Sequence, residues 1–566
     1  MKKLLIILII VITFITVISP ASFAQENNKV GISLLQPSSE DVLGASTLVN
    51  SQDGDWGYVT LVIQENDRDV RKWQDLFEQL REKHLIPIIR LATSPQGEVW
   101  RRPEEKDAHE WVDFLNKLNW VVKKRYIVLF NEPNHASEWG GEVDPESYGK
   151  VALAFARALK ESHSDYVVML GGLDAAAPQY PTQFWDSGEF MGEVCKDAQF
   201  CKNLFDNIDA WASHSYPNPG FSGSVWDSGK KSIRGYEYEL NLLKELGVEK
   251  DLPIFITETG WKQGNLSEDT IAENYRIAFE QIWGQDTRIQ AVTPFVFNYL
   301  SEPFIGFSWK KDGGYSAQYN IVKDLQKKKG TPEQIQKGSM EISLPDILIA
   351  RSTYHFSVSL KNEGQALWNQ EEGYTLSIKS NTDELKTLVP DIRKIRPFEE
   401  DRMNITIKTP AKPQIIEITL LLEKNGEVIM ETKKHTIKIE PFPSLAIKTS
   451  LFPRFVSNGE NFEVQLFNTD QELVFSKKGL SMRKGIISVE NISDVIPGHW
   501  YRVVLIGYPY IPRQDIKVIY KGINKITLKR LFPFDADGNG RMNLNDLKEM
   551  IMNPHFLLRF IPWNQL

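Results

Sequence analysis

The chain has 566 residues, a formal net charge of -8, and 42% hydrophobic and 25% charged residues. Because this length exceeds what one hydrophobic core supports, we expect three or four domains. The fractions of hydrophobic and charged residues are ordinary for a folded protein. The negative net charge gives no reason to expect a nucleic acid or an anionic membrane as partner.

The N-terminus has the pattern of a signal peptide. Lys2 and Lys3 precede an apolar run at 4–18, and small residues near Ala24 fit a cleavage site after it. A signal anchor is the alternative for a run of this length, but the small residues favour cleavage. We therefore expect residues 1–24 to be removed and the protein to be secreted or extracytoplasmic.

Residues 25–330 alternate short apolar strands with longer amphipathic segments. Predicted strands cover residues 30–35, 58–63, 86–91, 127–130, 167–171, 208–213, 254–257 and 291–297. Predicted helices lie between them, at 71–83, 109–122, 145–162, 235–246 and 267–283. This alternation is typical of a (β/α)8 TIM barrel. An open doubly wound sheet is the competing interpretation, but it predicts a glycine-rich phosphate turn after the first strand, and residues 35–39 contain no glycine.

Two glutamates each follow an apolar run of strand type. Glu132 lies in the sequence Phe-Asn-Glu-Pro-Asn, and Glu258 lies in Thr-Glu-Thr-Gly-Trp. Counting strands places Glu132 after the fourth and Glu258 after the seventh. Because the C-terminal ends of barrel strands meet at one face, the two carboxyl groups are expected to lie together. Such a pair is what glycoside hydrolysis requires, since one group protonates the leaving oxygen and the other attacks or stabilises the sugar carbon.

In these motifs, residues 30–325 resemble the clan A retaining glycoside hydrolases, which are cellulase- and endoglycanase-like TIM barrels. The resemblance implies that Glu132 is the general acid/base and Glu258 the nucleophile. It also implies hydrolysis of O-glycosyl bonds in a polysaccharide or oligosaccharide by double displacement, with no cofactor in catalysis. The alternative is a catalytically inactive glycan-binding or cell-surface assembly protein. That alternative predicts loss of one glutamate, and both are present.

Four further residues are candidates for binding substrate around this pair. Arg90 ends the third predicted strand, and the resemblance implies that it holds Glu258 ionised; a salt bridge at the rim is the alternative. Asn131 can donate a hydrogen bond to the sugar 2-hydroxyl. His214 and Tyr216 share one face through their spacing of two. The resemblance gives Tyr216 a hydrogen bond to Glu258 and places His214 in the lining of the sugar site, with a buried core histidine as the alternative.

The stacking platform for the sugar is not defined by this resemblance. Several relatives have a tryptophan at the end of strand eight, where this chain has Phe-Asn-Tyr at 297–299. We expect Trp261 or Trp309 to supply the platform instead, and Trp139 is a further candidate. The identity of the sugar therefore stays open.

The chain has two cysteines, Cys195 and Cys201, close together in a polar segment. In an oxidising compartment they are expected to form one local disulfide. No histidine lies beside them, which argues against a metal site.

Beyond a charged linker at 327–332, the hydrophobic period changes to two. Residues 338–440 are predicted to form a β-sandwich, in which Asn362, Gly364 and Trp368 resemble a signature of the immunoglobulin-like modules that follow bacterial secreted enzymes. Residues 441–531 are predicted to form a second β domain, also a sandwich.

The last segment, 532–566, contains a candidate calcium loop. Side-chain oxygens fall at loop positions one, three, five, nine and twelve, from Asp535, Asp537, Asn539, Asn543 and Asp546. The Arg541 carbonyl would supply position seven, and Gly540 stands where the backbone must turn sharply. The pattern resembles one repeat of a dockerin, which implies a structural Ca²⁺ and a cohesin-type partner. A complete dockerin needs two repeats and one is visible, so a loop that only fastens the C-terminal segment is the alternative, as is an acidic turn without metal.

Overall fold

The structure is a computed structural model that describes residues 27–35, 37–454, 456–553 and 555–558. The predicted signal peptide at residues 1–24 and the last residues, 559–566, lie outside these ranges. The chain divides into two compact units, of which the first ends at Ile335 and the second begins at Gln336. Within the described ranges, no helix is long and apolar enough to cross a membrane.

The first unit is built on eight parallel strands. They are β1 (Gly31–Leu34), β2 (Gly57–Gln64), β3 (Leu85–Ala92), β4 (Arg125–Leu129), β5 (Tyr166–Leu170), β6 (Trp211–His214), β7 (Ile254–Glu258) and β8 (Ile289–Val292). Strands β1 to β5 form one sheet and β6 to β8 another. Parallel bridges Met169–Ala210 and Val30–Val292 join the two sheets at both edges. The strands therefore close into a barrel, and the predicted TIM barrel is confirmed.

Helices follow the strands around the outside. They are α1 (Ser39–Val49), α2 (Val70–Glu82), α3 (Asp107–Leu115), α4 (Pro145–Ser162), α5 (Ser187–Val194), α6 (Ala198–Asp206), α7 (Gly235–Glu245), α8 (Glu268–Ile277) and α9 (Ala317–Asp324). The predicted disulfide is confirmed: Cys195, at the C-terminal cap of α5, is bonded to Cys201 in α6.

Helix α2 shows why these segments pack against the barrel. Its buried residues Trp73, Leu76, Phe77 and Leu80 recur at the helical period and form one apolar face. The Asp69 side chain caps the helix by accepting hydrogen bonds from two backbone N–H groups of the first turn.

The second unit begins with a β-sandwich, as predicted. Its strands are β9 (Gly338–Ile342), β10 (Ile347–Ile349), β11 (Thr353–Asn362), β12 (Tyr374–Ser380), β13 (Lys386–Leu388), β14 (Glu400–Lys408), β15 (Gln414–Lys424), β16 (Glu427–Glu431) and β17 (His435–Glu440). One sheet has the order β9-β11-β14-β13, and the other has β10-β17-β15-β12, with β16 on β15. Asn362 is buried and its amide donates to the carbonyls of Ala366 and Ile395. This asparagine therefore holds the loop that leads to the buried Trp368.

The second β domain is not a sandwich. Its strands are β18 (Ser444–Lys448), β19 (Gly459–Phe467), β20 (Leu473–Arg483), β21 (Ile486–Val489), β22 (Trp500–Gly507), β23 (Tyr510–Val518) and β24 (Ile523–Thr527). They form one sheet of order β23-β22-β19-β20-β21-β18-β24. Ile511 N, near one edge, donates to Phe532 O, beyond the other, over 3.0 Å. The sheet is therefore nearly closed, and the register shifts between β19 and β20 are bulges of the kind that curve a sheet.

The C-terminal segment carries two short helices, α10 (Leu544–Met552) and α11 (His555–Leu558). Helix α10 begins with a capping box between Asn543 and Asp546. Two residues of the candidate calcium loop therefore also form the start of a helix.

Candidate active site

Glu132 and Glu258 meet at the C-terminal face of the barrel. Glu258 is the last residue of β7, and Glu132 lies three residues beyond the end of β4. One carboxylate oxygen of each lies within 4.8 Å of the other. Phe130 and Glu132 have positive φ values of 70° and 30°, which are strained for these residue types. The hydrogen bond from Glu132 N to Gly172 O, 3.0 Å, helps to hold this conformation.

Both oxygens of Glu258 accept hydrogen bonds from side chains. Arg90 Nη1 donates to Oε1 over 2.5 Å, and the Tyr216 hydroxyl donates to Oε2 over 3.1 Å. Burial and the neighbouring Glu258 and Glu132 raise the pKa of Tyr216 well above its usual value, so the phenol keeps its proton. Arg90 and Tyr216 therefore fix the orientation of the Glu258 carboxylate from both of its oxygens.

Asn131 is held by the same guanidinium nitrogen. Arg90 Nη1 donates to Asn131 Oδ1 over 2.5 Å, which turns the amide nitrogen of Asn131 away from Arg90. Asn131 and Arg90 both line the cleft beside the two glutamates. Arg90 therefore holds two side chains at once. They are Glu258, the candidate nucleophile, and Asn131, the candidate donor to the sugar 2-hydroxyl.

His214 lies behind the two carboxyl groups. Its side chain is buried, with 2% of the residue exposed, and Nδ1 is 2.9 Å from Glu132 Oε1 and 3.9 Å from Glu258 Oε2. A Cβ atom on Gly172 would come within 2.2 Å of the imidazole ring, so glycine is needed there. The prediction that His214 lines the sugar site is wrong, because the ring is enclosed. Burial lowers the pKa of His214, but Glu258 and Glu132 outweigh burial and raise it.

Three residues of the cleft were missed in the sequence. Glu138 ends a short 3-10 turn, Ala136–Glu138, and lines the cleft. Burial raises the pKa of Glu138 to about 7, although Arg90 opposes the shift. His135 Nε2 pairs with Asp174 Oδ2 over 2.9 Å. The turn that brings Glu138 back toward Glu132 has no spacing signature, and only the nearness of a second glutamate in the same loop could have drawn attention to it.

The predicted stacking platforms are wrong. Trp261, Trp309 and Trp139 have 1%, 0% and 0% of their surface exposed, so none offers a ring face to a sugar. Trp261 donates from Nε1 to Gly223 O and packs edge-on against Tyr275, which also contacts Trp309. These rings belong to the core beneath the loops.

Other aromatic residues line the cleft instead. They are Trp73, Trp100, Phe130, Tyr216, Phe221, Phe295, Tyr299, Phe304 and Phe307. Strand β8 ends at Val292, earlier than predicted, and Phe297 is buried against Tyr315 and Tyr319. Residues 297–299 were expected at the end of this strand. In the structure, Phe295 and Tyr299 face the cleft there, whereas Phe297 does not. Phe304 is 40% exposed and presents the most open ring.

The cleft has a volume of about 1520 Å³. It extends from α2, through Asp75 and Gln79, past the two glutamates to Leu300 and Phe304. Pockets for small molecules are roughly 300–1,000 Å³. The cleft is therefore large enough for a chain of several sugar units.

Glu132, His214 and Glu258 together have the spacing of a metal site. Their hydrogen bonds do not fit that role. His214 Nδ1 is engaged by Glu132, and the two oxygens of Glu258 are engaged by Arg90 and Tyr216. The guanidinium charge at 2.5 Å from Glu258 would also repel a cation.

The candidate calcium loop brings three carboxylates together. Oxygens of Asp535, Asp537 and Asp546 lie within 4.8 Å of one another. Burial, followed by the charges of Asp546 and Asp537, raises the pKa of Asp535. Gly540 has a φ of 81° and donates from its N–H to Asp535 over 3.1 Å.

The polar residues of this loop differ in what they can offer to a cation. Asn539 Oδ1 accepts from Arg541 N, and Asn543 Oδ1 accepts from Asn545 N as a helix cap. Their side-chain oxygens therefore already have one donor each. The like-charged carboxylates fit a divalent cation with oxygen ligands. At Asn543, however, the cation would compete with the Asn545 N–H group for the side-chain oxygen.

No protein-family profile matches the sequence, and no curated protein sequence matches it significantly. Solved structures match the first part of the chain. A β-mannanase from Thermomonospora fusca is 12% identical, covering 53% of this chain and 89% of that chain, with a TM-score of 0.35. A GH128 (subgroup II) endo-β-1,3-glucanase from Pseudomonas viridiflava is 11% identical, covering 52% and 97%, with a TM-score of 0.35. A GH5-4 broad-specificity endoglucanase from Clostridium longisporum is 12% identical, covering 51% and 84%, with a TM-score of 0.34. Similarity at this level leaves function to be argued from the residues of the cleft.

Proposed function

We propose that the protein is a retaining β-glycoside hydrolase that cleaves a polysaccharide or oligosaccharide. The observation that carries the proposal is the separation of Glu132 and Glu258, whose carboxylate oxygens approach within 4.8 Å. Retaining glycosidases have their carboxyl groups roughly 5–5.5 Å apart, whereas inverting enzymes leave about 6.5–9.5 Å for a water. The short separation supports direct attack by one carboxylate on the sugar.

The environments of the two glutamates support different roles. Glu258 accepts from Arg90 and Tyr216 and is the nucleophile, whose oxygen bonds to the anomeric carbon as the glycosidic bond breaks. Glu132 lacks a guanidinium partner among the described contacts and is paired with His214. It gives its proton to the departing oxygen.

In the second step, Glu132 removes a proton from water, and the water oxygen displaces Glu258 from the anomeric carbon. Glu132 is then protonated and Glu258 is ionised again, as at the start. Two displacements at one carbon restore the original configuration. Asn131, whose amide oxygen is held by Arg90, is placed to donate its N–H to the sugar 2-hydroxyl.

The size and lining of the cleft support a polymeric substrate. Exposed Phe304 and half-buried Trp100 stand on different loops of the cleft, after β8 and β3, and each offers a flat ring on which a sugar can stack. The cleft volume of about 1520 Å³ exceeds what a single sugar unit needs.

Export and calcium binding belong to the same proposal. The N-terminal pattern supports a secreted enzyme, and the carboxylates of Asp535, Asp537 and Asp546 support a structural Ca²⁺ in the C-terminal loop. We propose that a cohesin-type partner would bind this segment. Binding to an immobilised cohesin, and loss of that binding when EDTA is added, would support this partner. Catalysis itself is proposed to need no cofactor.

The test is a glycan screen with matched variants. Wild-type protein is incubated with β-glucan, mannan, xylan and aryl β-glycosides, beside Glu132→Gln, Glu258→Gln and the surface control Glu142→Gln. We expect the wild type and the control to release sugar from at least one substrate and the other two variants to lose about 1,000-fold or more in kcat. Proton NMR should show the β-anomer of the product first. Binding without hydrolysis of any substrate would favour the catalytically inactive glycan-binding protein.

A further inference from the structure

Asn298 follows strand β8 and lines the cleft, and the mechanism proposed above makes no use of it. The backbone on both sides of this residue is tied to one neighbouring segment. Lys310 N donates to Phe297 O over 2.7 Å. Tyr299 N donates to Ser308 Oγ over 3.0 Å. Because both flanking residues are bonded in this way, the side chain of Asn298 projects from a backbone that is held in place.

The carboxylate of Asp41, in helix α1, accepts a hydrogen bond from the Asn298 amide. Asn298 Nδ2 lies 3.1 Å from Asp41 Oδ1, and Lys310 Nζ donates to the same oxygen over 3.0 Å. Asp41 Oδ2 accepts from the N–H and the hydroxyl of Ser38 over 3.2 and 2.9 Å. Asp41 is 5% exposed, so these donors replace the water that its charge would otherwise bind.

Asp41 determines which way the amide of Asn298 is turned. Burial raises the pKa of Asp41, but Lys310 and Ser38 outweigh burial and lower it, so the carboxyl group is ionised and can only accept. A reversed amide would place its oxygen against this carboxylate and lose the bond. With one N–H hydrogen given to Asp41, Oδ1 is the acceptor that the amide can offer to a ligand in the cleft. No donor from the described residues is bonded to Oδ1.

We propose that Asn298 is a substrate-binding residue whose Oδ1 accepts a hydrogen bond from a free hydroxyl of the glycan. Asp41 and Lys310 are positioning residues that hold the amide in this orientation. The inference rests on the proposed function, because it takes the ligand of the cleft to be a glycan. A hydroxyl that carries an ether or ester substituent has no hydrogen to donate. The sugar unit at this position is therefore unsubstituted at the hydroxyl that faces Asn298.

The order of the site before a sugar arrives supports this assignment. The backbone beside Asn298 is bonded on both sides, and its amide is held by a carboxylate that is itself held by Lys310 and Ser38. A side chain that is already in its bound orientation loses little conformational entropy when the ligand binds.

The test is a binding measurement that does not depend on turnover. In the Glu258→Ala background, which leaves a glycan uncleaved, cello-, laminari-, manno- and xylohexaose are titrated by calorimetry. We expect at least one hexaose to bind, and we expect Asn298→Ala to raise its Kd about 3–10-fold. Asn203→Ala is the matched control. Asn203 is also half-buried and its amide also pairs with a charged residue, Arg157, but it lies on α6 outside the cleft, so Kd should not change.

A second substitution tests the role of Asp41. Asp41→Asn keeps the size of the side chain and an oxygen for Ser38, but its amide no longer dictates how the Asn298 amide is turned. We expect Asp41→Asn to raise Kd when Asn298 is present and to change it little in the Asn298→Ala background, because both residues act through the same amide.

Equal Kd values for Asn298→Ala and Asn203→Ala, or no binding of any of these hexaoses, would overturn the assignment of Asn298. Additive effects of the Asp41 and Asn298 substitutions would overturn the positioning role of Asp41. If Asp41→Asn does not fold, the comparison of Asn298→Ala with Asn203→Ala still decides whether Asn298 binds the glycan. Hydrolysis is a separate result. If a hexaose binds with the expected dependence on Asn298 but the wild type cleaves none, the proposed function fails and the binding assignment stands.

Discussion

The Nδ1 atom of His214 lies 2.9 Å from Glu132 Oε1. The same atom is 3.9 Å from Glu258 Oε2, so one enclosed imidazole lies close to both carboxyl groups. Its raised pKa, which burial opposes and the two glutamates produce, favours the imidazolium form. With Glu258 ionised and Glu132 protonated, as proposed above, the charge of this ring balances part of the negative charge of Glu258.

Replacing His214 should change how stability depends on pH. A histidine whose folded pKa is raised contributes stability that is present below its unfolded pKa, about 6.5, and lost as pH rises through the folded value. We expect the Tm advantage of the wild type over His214→Gln to be largest below pH 6.5 and to shrink at higher pH. His163 is the control, because burial and Arg125 lower its pKa. The assignment would be contradicted if the Tm advantage of the wild type over His163→Gln also shrank above pH 6.5.

Tyr216→Phe should slow catalysis without unfolding the barrel. The substitution removes one hydroxyl, the donor to Glu258 Oε2 at 3.1 Å, and leaves the ring in place. A hydrogen bond to a charged group is worth about 1.5–3 kcal/mol, so kcat should fall about 10–100-fold. Tyr180→Phe, at an exposed position outside the cleft, is the control. Equal kcat values for wild type and Tyr216→Phe would mean that this hydroxyl does not support the nucleophile.

Phe304→Ala should weaken binding of a sugar chain more than it slows the chemical step. The ring is 40% exposed at the cleft, and stacking contributes about 0.5–1.5 kcal/mol, so KM should rise several-fold. Phe398→Ala, at an exposed phenylalanine of the β-sandwich, should leave KM unchanged. If Trp309→Phe raised KM and Phe304→Ala did not, the platform would lie elsewhere.

Calcium should order the C-terminal loop without affecting the cleft. Asp535, Asp537 and Asp546 repel one another when ionised, and a divalent cation relieves that repulsion. We expect calcium to raise the resistance of this segment to protease and Asp535→Ala to abolish the effect. EDTA should leave hydrolysis unchanged. Glu549→Ala in α10 is the control, since Glu549 provides no predicted ligand. If this variant also lost the protease resistance that calcium gives, the result would argue against calcium binding by the loop.

The barrel could be predicted from the sequence because its strands are buried on both faces and appear as continuous apolar runs. The positions of Glu132 and Glu258 followed from counting those strands. Helix α1 was not predicted, since its buried side includes small residues such as Gly44 and Ala45 rather than a strong apolar period. Helices α5 and α6 are short and begin at aspartate caps, Asp186 and Asp197.

The errors lie where loop direction decides the outcome. Trp261 follows Glu258 by three residues, but the chain turns at Gly260, whose φ is 152°, and the ring enters the core. Glu138 was missed because a turn, not a repeat, returns it to the cleft. In the second β domain, the alternating pattern gives strands but not their curvature, which the bulges between β19 and β20 introduce.

The central claim is that Glu258 is the nucleophile of a retaining hydrolase, and azide rescue of Glu258→Ala tests it most directly. Without the carboxylate, the variant should be inactive on a substrate that the wild type cleaves. Azide can enter the space left by the side chain and attack the anomeric carbon once. We predict restored turnover and an α-glycosyl azide, of inverted configuration, in the proton NMR spectrum. Near wild-type hydrolysis by Glu258→Ala without azide, or a β-glycosyl azide as product, would contradict the account.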